Sequence, residues 1–144
     1  MARYRTTVPS RWPIDEAFAY MADFTHSAQW DPSVTSARRV GEGDVGLGTT
    51  FELVTTLNGR PMPLTYVVTA FEPPRRVALR AQTPLVLSVD EITFSTTPEG
   101  TDVTYDATLH ARGWLRLVSP VVSRLFKGIG DRARTGLVRE LNAR

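Results

Sequence analysis

The chain has 144 residues, a formal net charge of +2 and 42% hydrophobic residues, which suits one hydrophobic core and argues against a disordered chain. It has no cysteine and two histidines, which excludes disulfides and thiolate metal sites, and no metal or cofactor is expected. The first residues are polar and no apolar run approaches the roughly 18 residues of a membrane span, so a cytoplasmic location is expected.

The first predicted elements are a strand and two short helices. Residues 3–8 alternate weakly and predict a strand. Residues 13–24 predict a helix, because proline suits the first turn, two early carboxylates suit the positive end of the helix dipole, and apolar residues recur at helical spacing. A second short helix is predicted at 26–30, where Asp31-Pro32 ends it.

The middle of the chain predicts consecutive strands separated by turn residues. Asn58-Gly59 is a strong hairpin signal, because both residues tolerate a positive φ. No helical pattern intervenes, so an antiparallel sheet with consecutively paired strands is expected. The predicted strands are 34–40, 49–57, 63–71, 76–81, 86–95 and 101–111.

The last third predicts a long amphipathic helix, with apolar residues at three- and four-residue steps from Leu115 to Leu141. Ser119-Pro120 either begins this helix or kinks one begun earlier. Three glycines, at 128, 130 and 136, weaken it; they serve either close packing against the sheet or space for a ligand.

The same third carries most of the positive charge. Such a pattern is typical of a solvated helix face; the alternative is contact with an anionic partner such as a membrane surface, and no nucleic-acid partner is expected. Two acidic residues, Asp131 and Glu140, lie among these basic residues. The basic residues are Arg112, Arg116, Arg124, Lys127, Arg132, Arg134, Arg139 and Arg144.

This order of elements resembles that of START-like (SRPBCC) proteins, and short segments resemble their polyketide cyclase/dehydrase branch. The resembling segments are Tyr20–Phe24, Gln29–Pro32, Val45–Phe51, Thr69–Val77, Ile92–Phe94 and Gly100–Tyr105. The resemblance implies one α+β domain over residues 1–144 with a helix-grip fold. In that fold a curved antiparallel sheet wraps around the long C-terminal helix, two short helices follow the first strand, and an apolar cavity lies between sheet and helix.

Alternation along each strand predicts which side chains face that cavity. Trp30 is expected either to cap its entrance or to anchor packing, and the first half of the last helix is expected to supply its floor. The predicted ligand-binding residues are Trp30, Phe51, Leu53, Tyr66, Val68, Leu79, Ile92, Phe94, Tyr105, Leu117, Val121 and Leu125.

Strand 86–95 holds the main candidate for chemistry. If the alternation set by Ile92 and Phe94 continues, Ser88 and Asp90 point into the cavity, where burial would raise the pKa of Asp90. The alternatives are a bulge that reverses the faces, or a position of Asp90 at a wet cavity mouth. If Asp90 does point into the cavity, it is a candidate base, with Tyr66 or Ser88 as hydrogen-bond donor to an enolate oxygen.

Two functions follow as expectations. The first is a carrier or binding protein, monomeric or homodimeric, for a small hydrophobic molecule such as a lipid, polyketide or isoprenoid-like compound. The second is a cyclase/dehydrase-like enzyme that catalyses intramolecular aldol condensation and dehydration. The sequence shows no Ser-His-Asp set, metal motif or phosphate-binding loop, so hydrolase, metalloenzyme and nucleotide-binding functions have no support.

Overall fold

The computed structural model describes residues 1–143, so the basic residue Arg144 lies outside the described part of the chain. Residues 1–143 form a seven-stranded antiparallel sheet in the order β1-β7-β6-β5-β4-β3-β2. Successive strands are neighbours, except that β1 pairs with β7. The strands are β1 (Ala2–Ser10), β2 (Val34–Val40), β3 (Thr50–Leu57), β4 (Arg60–Glu72), β5 (Arg76–Gln82), β6 (Val86–Thr97) and β7 (Gly100–Ala111).

Two short helices follow β1 and a long one ends the chain, which confirms the predicted helix-grip fold. The first helix ends before residue 24 because Asp23 is extended and its carboxylate accepts the Thr25 N–H at 3.1 Å. Ser119-Pro120 begins the last helix and does not kink it. The helices are α1 (Ile14–Ala22), α2 (Ser27–Trp30) and α3 (Ser119–Glu140), with 3₁₀ turns at Phe24–His26 and Gly113–Val118. Within residues 1–143 no helix has both the length and the apolarity to cross a membrane.

The regularity of β6 decides which of its side chains face the concave side of the sheet. Pairing is irregular between Val34 and Ser36 on β2 and between Val68 and Ala70 on β4, where bulges add twist. In contrast, β6 pairs with both neighbours without a shift in register. Its alternate side chains from Val86 to Phe94 are all buried. The bulge that would have turned Asp90 outward is therefore not formed.

Aromatic side chains from α1 and the first 3₁₀ turn fill one end of the concave face. Phe18 packs edge-on against Phe94, with ring centroids 5.2 Å apart. Phe24 packs in the same way against Phe51 and Tyr66, at 6.3 and 5.2 Å. Such rings bury large apolar areas and pack favourably edge to face. This end of the sheet is therefore solid core, and open space is left toward α3.

Helix α3 covers the remaining end of the sheet by close approach at two glycines. A Cβ at Gly130 would overlap the ring of Tyr4 on β1, and a Cβ at Gly136 would overlap the backbone carbonyl of Trp30 on α2. Close packing is therefore the role of both glycines. The helix is also held by Arg139, whose guanidinium donates to the Gln29 carbonyl at 2.9 Å.

We predict that Gly136→Ala destabilises the fold, because the added methyl group meets backbone that cannot move aside. Overpacking costs about 1–3 kcal/mol, which exceeds the gain of at most about 1 kcal/mol in helix propensity. Gly128→Ala is the matched control, since its nearest neighbour is the flexible end of Arg132 at 3.4 Å. Urea unfolding should show lower stability for Gly136→Ala and equal or higher stability for Gly128→Ala. Equal effects of the two substitutions would contradict this packing.

Candidate functional site

A cavity of about 120 Å³ lies between α3 and the open end of the sheet. An engineered cavity of about 150 Å³ holds benzene, whereas pockets for drug-sized ligands are typically about 300–1,000 Å³. The enclosed space therefore suits one ring or a short branched chain. Its apolar walls are formed by Trp30, Leu57, Met62, Leu64, Ala107, Leu109, Phe126, Ile129, Ala133 and Leu137.

An outer recess of about 300 Å³ adjoins the mouth of the cavity. Ser33, Thr56 and Ile129 line both spaces, so the recess lies directly beside the cavity. The β3–β4 turn at Asn58-Gly59 forms one side of the recess, and Leu125 on α3 forms another. A ligand longer than one ring therefore has room to extend from the cavity into the recess.

Four polar side chains from β4, β6 and β7 form a row along the cavity wall. The Tyr66 hydroxyl on β4 and the Ser88 hydroxyl on β6 are 2.8 Å apart. The Tyr105 hydroxyl on β7 donates to Oδ2 of Asp90 on β6. All four side chains are at least nine-tenths buried, and all four line the cavity. The polar wall therefore presents hydroxyls and one carboxyl group to an otherwise apolar space.

Burial is the main determinant of the protonation state of Asp90. The residue is 7% exposed, and its pKa is raised from 3.8 to about 7, chiefly through loss of solvation. The negative charge of Asp31 raises it further, while hydrogen bonds from Tyr105 and Ser88 oppose the rise. Near neutral pH the carboxyl group is therefore divided between its two forms. It can donate a proton to a carbonyl oxygen or accept one from a hydroxyl group.

A second carboxylate, Asp31, lies at the cavity wall next to Trp30. Its pKa is also raised by burial, against hydrogen bonds from the Ser33 backbone N–H and hydroxyl at 2.9 and 2.7 Å. The charge is partly offset by Arg132. Arg134 also lines the cavity, where its Nε donates to the Thr6 hydroxyl at 2.8 Å. Hydrogen bonds to Ser33 and Thr6 thus hold the side chains of Asp31 and Arg134 in place.

The structure brings together part of the residue set that the sequence suggested. Asp90, Ser88, Tyr66, Tyr105 and Trp30 line the cavity, and Leu125 lines the outer recess. Other candidates contact protein side chains where contact with a ligand was expected; for example, Phe94 packs against Phe18 and Phe51 packs against Phe24. Those candidates lie in the packed core: Phe51, Leu53, Val68, Leu79, Ile92 and Phe94.

The expectation that Leu117 and Val121 form the cavity floor is wrong. Their side chains are 85% and 57% exposed. Leu117 lies in the 3₁₀ turn before α3 and Val121 in the first turn of α3, whereas the cavity lies under residues 126–137 of the helix. Phe126, Ile129, Ala133 and Leu137 supply its helical wall. Apolar spacing alone does not show where along a helix the sheet ends.

Several lining residues were not singled out from the sequence. Met62 lies beside the hairpin, where no apolar face was assigned, and Tyr4 and Thr6 lie on β1, whose weak alternation gave no clear inner face. Leu64 and Ala107 share the alternation of Tyr66 and Tyr105, so that signal was present in the sequence. No signal in the sequence marked Arg134 as a lining residue, because charged residues on a helix are ordinarily solvated.

The family described as polyketide cyclase/dehydrase and lipid transport matches residues 1–142, almost the whole chain. The chain belongs to this family. Its membership agrees with the seven-stranded sheet, the long C-terminal helix and the enclosed cavity. No curated protein matches the chain.

Solved structures support the family fold. A START superfamily protein from Mycobacterium smegmatis has a TM-score of 0.77 at 14% identity, with 98% of this chain and 97% of that chain covered. The Zhui aromatase/cyclase from Streptomyces sp. R1128 has a TM-score of 0.73 at 17% identity, with 96% and 92% covered. The di-domain ARO/CYC BexL from the BE-7585A biosynthetic pathway has a TM-score of 0.74 at 17% identity; the match covers 99% of this chain and 50% of BexL. At these identities the likeness shows the fold alone.

We predict that ionisation of Asp90 lowers the free energy of unfolding of the protein as the pH rises. Its folded pKa of about 7 exceeds the ordinary value of 3.8, so between these values the unfolded chain loses the proton that the folded chain keeps. Asp90→Asn stays neutral. It should be close to wild type in stability at about pH 4 and more stable than wild type by about 4 kcal/mol above about pH 7.

Urea unfolding across this pH range measures the difference. Asp106→Asn is the control of opposite sign, because a hydrogen bond from Arg3 holds the pKa of Asp106 below its usual range. That variant should be less stable than wild type at neutral pH, and the gap should close in acid. A pH-independent difference between Asp90→Asn and wild type would contradict a buried, perturbed carboxyl group.

Proposed function

We propose that the protein binds a small, mainly apolar molecule in the cavity and that Asp90 bonds to a polar group on it. The observation that carries this proposal is a nearly buried carboxyl group facing a mainly apolar cavity. Buried carboxyl groups are costly unless their hydrogen-bonding capacity is used. Tyr105 donates to Oδ2 of Asp90 and Ser88 lies beside the carboxyl group, and a ligand in the cavity would be a further partner.

The walls and the size of the cavity define the ligand class. Apolar side chains from α3 and the sheet give affinity through burial of apolar area, at about 25 cal/mol per Å². The polar row gives orientation, as a few placed polar groups do in most small-molecule sites. A ligand with one ring in the cavity and a chain or second ring in the recess fits both spaces. Membership of a family described by cyclase, dehydrase and lipid-transport activities supports such a ligand.

Single-ring probes test this proposal. We predict that p-cresol binds more tightly than toluene by about tenfold or more, because its hydroxyl group gains a hydrogen bond to the carboxyl group of Asp90. Asp90→Leu keeps a similar volume and removes the carboxyl group, so the preference for p-cresol should disappear. Isothermal titration calorimetry measures both affinities. Equal preference in wild type and Asp90→Leu would exclude Asp90 as the anchor.

Filling the cavity gives the matched control for location. Ala107 faces the cavity, while its neighbour Thr108 is on the opposite face of β7. Ala107→Leu should abolish binding of both probes, and Thr108→Leu should leave it unchanged. Binding that survives Ala107→Leu would place the probes elsewhere.

We further propose a cyclase/dehydrase-like activity as the second candidate, favoured by the pKa of about 7 at Asp90 beside hydroxyl donors. Aldol condensation begins when a base removes a proton from the carbon next to a carbonyl. In this scheme the Asp90 carboxylate takes that proton, and the hydroxyl of Tyr66 or Ser88 donates a hydrogen bond to the enolate oxygen. When the enolate carbon adds to the second carbonyl, Asp90 would return the proton to the new alkoxide, which becomes a hydroxyl group. For dehydration Asp90 would take a second proton from the same carbon and give it to that hydroxyl group, which leaves as water.

Proton exchange on a simple ketone tests this candidate without knowledge of the natural substrate. We predict that wild type accelerates exchange of the methyl protons of acetophenone with D₂O, and that Asp90→Asn lowers this acceleration by about 10²-fold or more. NMR spectroscopy follows the loss of the methyl signal. Asp106→Asn is the control, because that carboxylate pairs with Arg3 outside the cavity. Equal rates for wild type and Asp90→Asn would exclude Asp90 as the base and leave the binding function.

A further inference from the structure

Four apolar side chains in the 3₁₀ turn after β7 and the first turn of α3 are exposed to solvent. Trp114, Leu117, Val118 and Val121 are 63%, 85%, 39% and 57% exposed. We call these four residues the apolar ridge. Single exposed apolar residues are common, but large apolar patches on soluble proteins usually mark interaction sites.

Helical spacing places the ridge on one side of the chain. Residues three apart are eclipsed in a 3₁₀ helix, so Trp114 and Leu117 lie one above the other in the turn Gly113–Val118. Val121 lies in the first turn of α3, directly after this 3₁₀ turn. Further steps of four lead to Leu125 and Ile129, which line the outer recess. An apolar stripe therefore runs from the ridge to the mouth of the cavity.

Positive charges flank the ridge without acidic partners. Arg112, Arg116 and Arg124 are exposed, and within residues 1–143 none of them forms an ion pair. From residue 107 to residue 130 the sequence contains no Asp or Glu. The ridge therefore combines an exposed tryptophan and aliphatic side chains with unopposed positive charge.

We propose that the apolar ridge docks on the surface of an anionic lipid bilayer. Tryptophan favours the interface between headgroups and hydrocarbon, and basic side chains beside it are attracted to anionic headgroups. A short amphipathic segment of this kind lies in the interface and does not span it. The sequence left open, as an alternative to a solvated face, that the basic C-terminal helix contacts a membrane. This proposal limits the contact region to the first turn of α3 and the 3₁₀ turn before it.

Docking also has a consequence for the cavity, which rests on the proposed binding function. The stripe from Leu117 through Leu125 to Ile129 would join the lipid surface to the recess. An apolar ligand would then reach the cavity mouth without full exposure to water. Docking itself does not require an occupied cavity, so the two proposals can fail separately.

The tryptophans provide a direct test. Trp12 and Trp30 are 6% and 4% exposed, so Trp114 is the one whose surroundings change on docking. Vesicles of phosphatidylcholine and phosphatidylglycerol in equal amounts should shift the fluorescence to shorter wavelength and sediment with the protein. Vesicles of phosphatidylcholine alone should give a smaller fluorescence shift and sediment with less of the protein. Trp114→Phe should abolish the spectral shift.

Matched substitutions separate docking from general surface effects. Leu117→Ser should weaken binding to the mixed vesicles about tenfold, and Arg116→Ser about fivefold. Leu47→Ser, at a residue 72% exposed on another loop, and Arg80→Ser on the outer face of the sheet should bind as wild type does. Ala107→Leu should also dock normally, even if its cavity binds no probe.

Two results would overturn the proposal. One is the absence of sedimentation and spectral shift with the mixed vesicles. The other is equal weakening by Leu47→Ser and Leu117→Ser. If vesicle binding is absent and Leu117→Ser converts a dimer to a monomer in analytical ultracentrifugation, the ridge instead contacts a second copy of this chain.

Discussion

The close seating of α3 determines the size and polarity of the cavity. Gly136 allows the helix to lie on the Trp30 carbonyl, and Gly130 allows it to lie on the ring of Tyr4. With the helix this near the sheet, the remaining space is the size of one ring and its wall is mainly apolar. The same seating buries Asp90, because the carboxyl group faces the space that the helix covers. Cavity size and carboxyl pKa thus have one structural cause.

Binding and catalysis place different demands on the same wall. A carrier needs Asp90 only as a polar anchor, and either protonation state provides one. An enzyme needs the carboxylate to take a proton and a nearby hydroxyl to stabilise the enolate, which the row Tyr66–Ser88–Asp90–Tyr105 supplies in the right chemical types. Burial raises the pKa of Asp90 to about 7, which makes its carboxylate a stronger base and also keeps a neutral acid that can donate a hydrogen bond, so it is compatible with both functions. The family fold accommodates either function, so the site chemistry must decide between them.

The strands and helices could be predicted because alternation, turn residues and helical spacing are local signals. The inward direction of Asp90 also followed from alternation, yet bulges form on β2 and β4 without a distinct residue to mark them, so a regular β6 was not assured. The exposed position of Leu117 could not be predicted, since spacing shows which residues share a face but not what covers it. Packing of Phe94 against α1 likewise depends on tertiary contacts.

Methionine methyl groups allow the central claim, a ligand site at the cavity, to be measured directly. The sequence has three methionines, and each reports a different environment: Met62 lines the cavity, Met21 lies in the packed core and Met1 is exposed. In a protein labelled with ¹³C at these methyl groups, titration with p-cresol should shift the Met62 signal to saturation and leave those of Met21 and Met1 unchanged. An unchanged Met62 signal at p-cresol concentrations that calorimetry shows to be saturating would contradict the account.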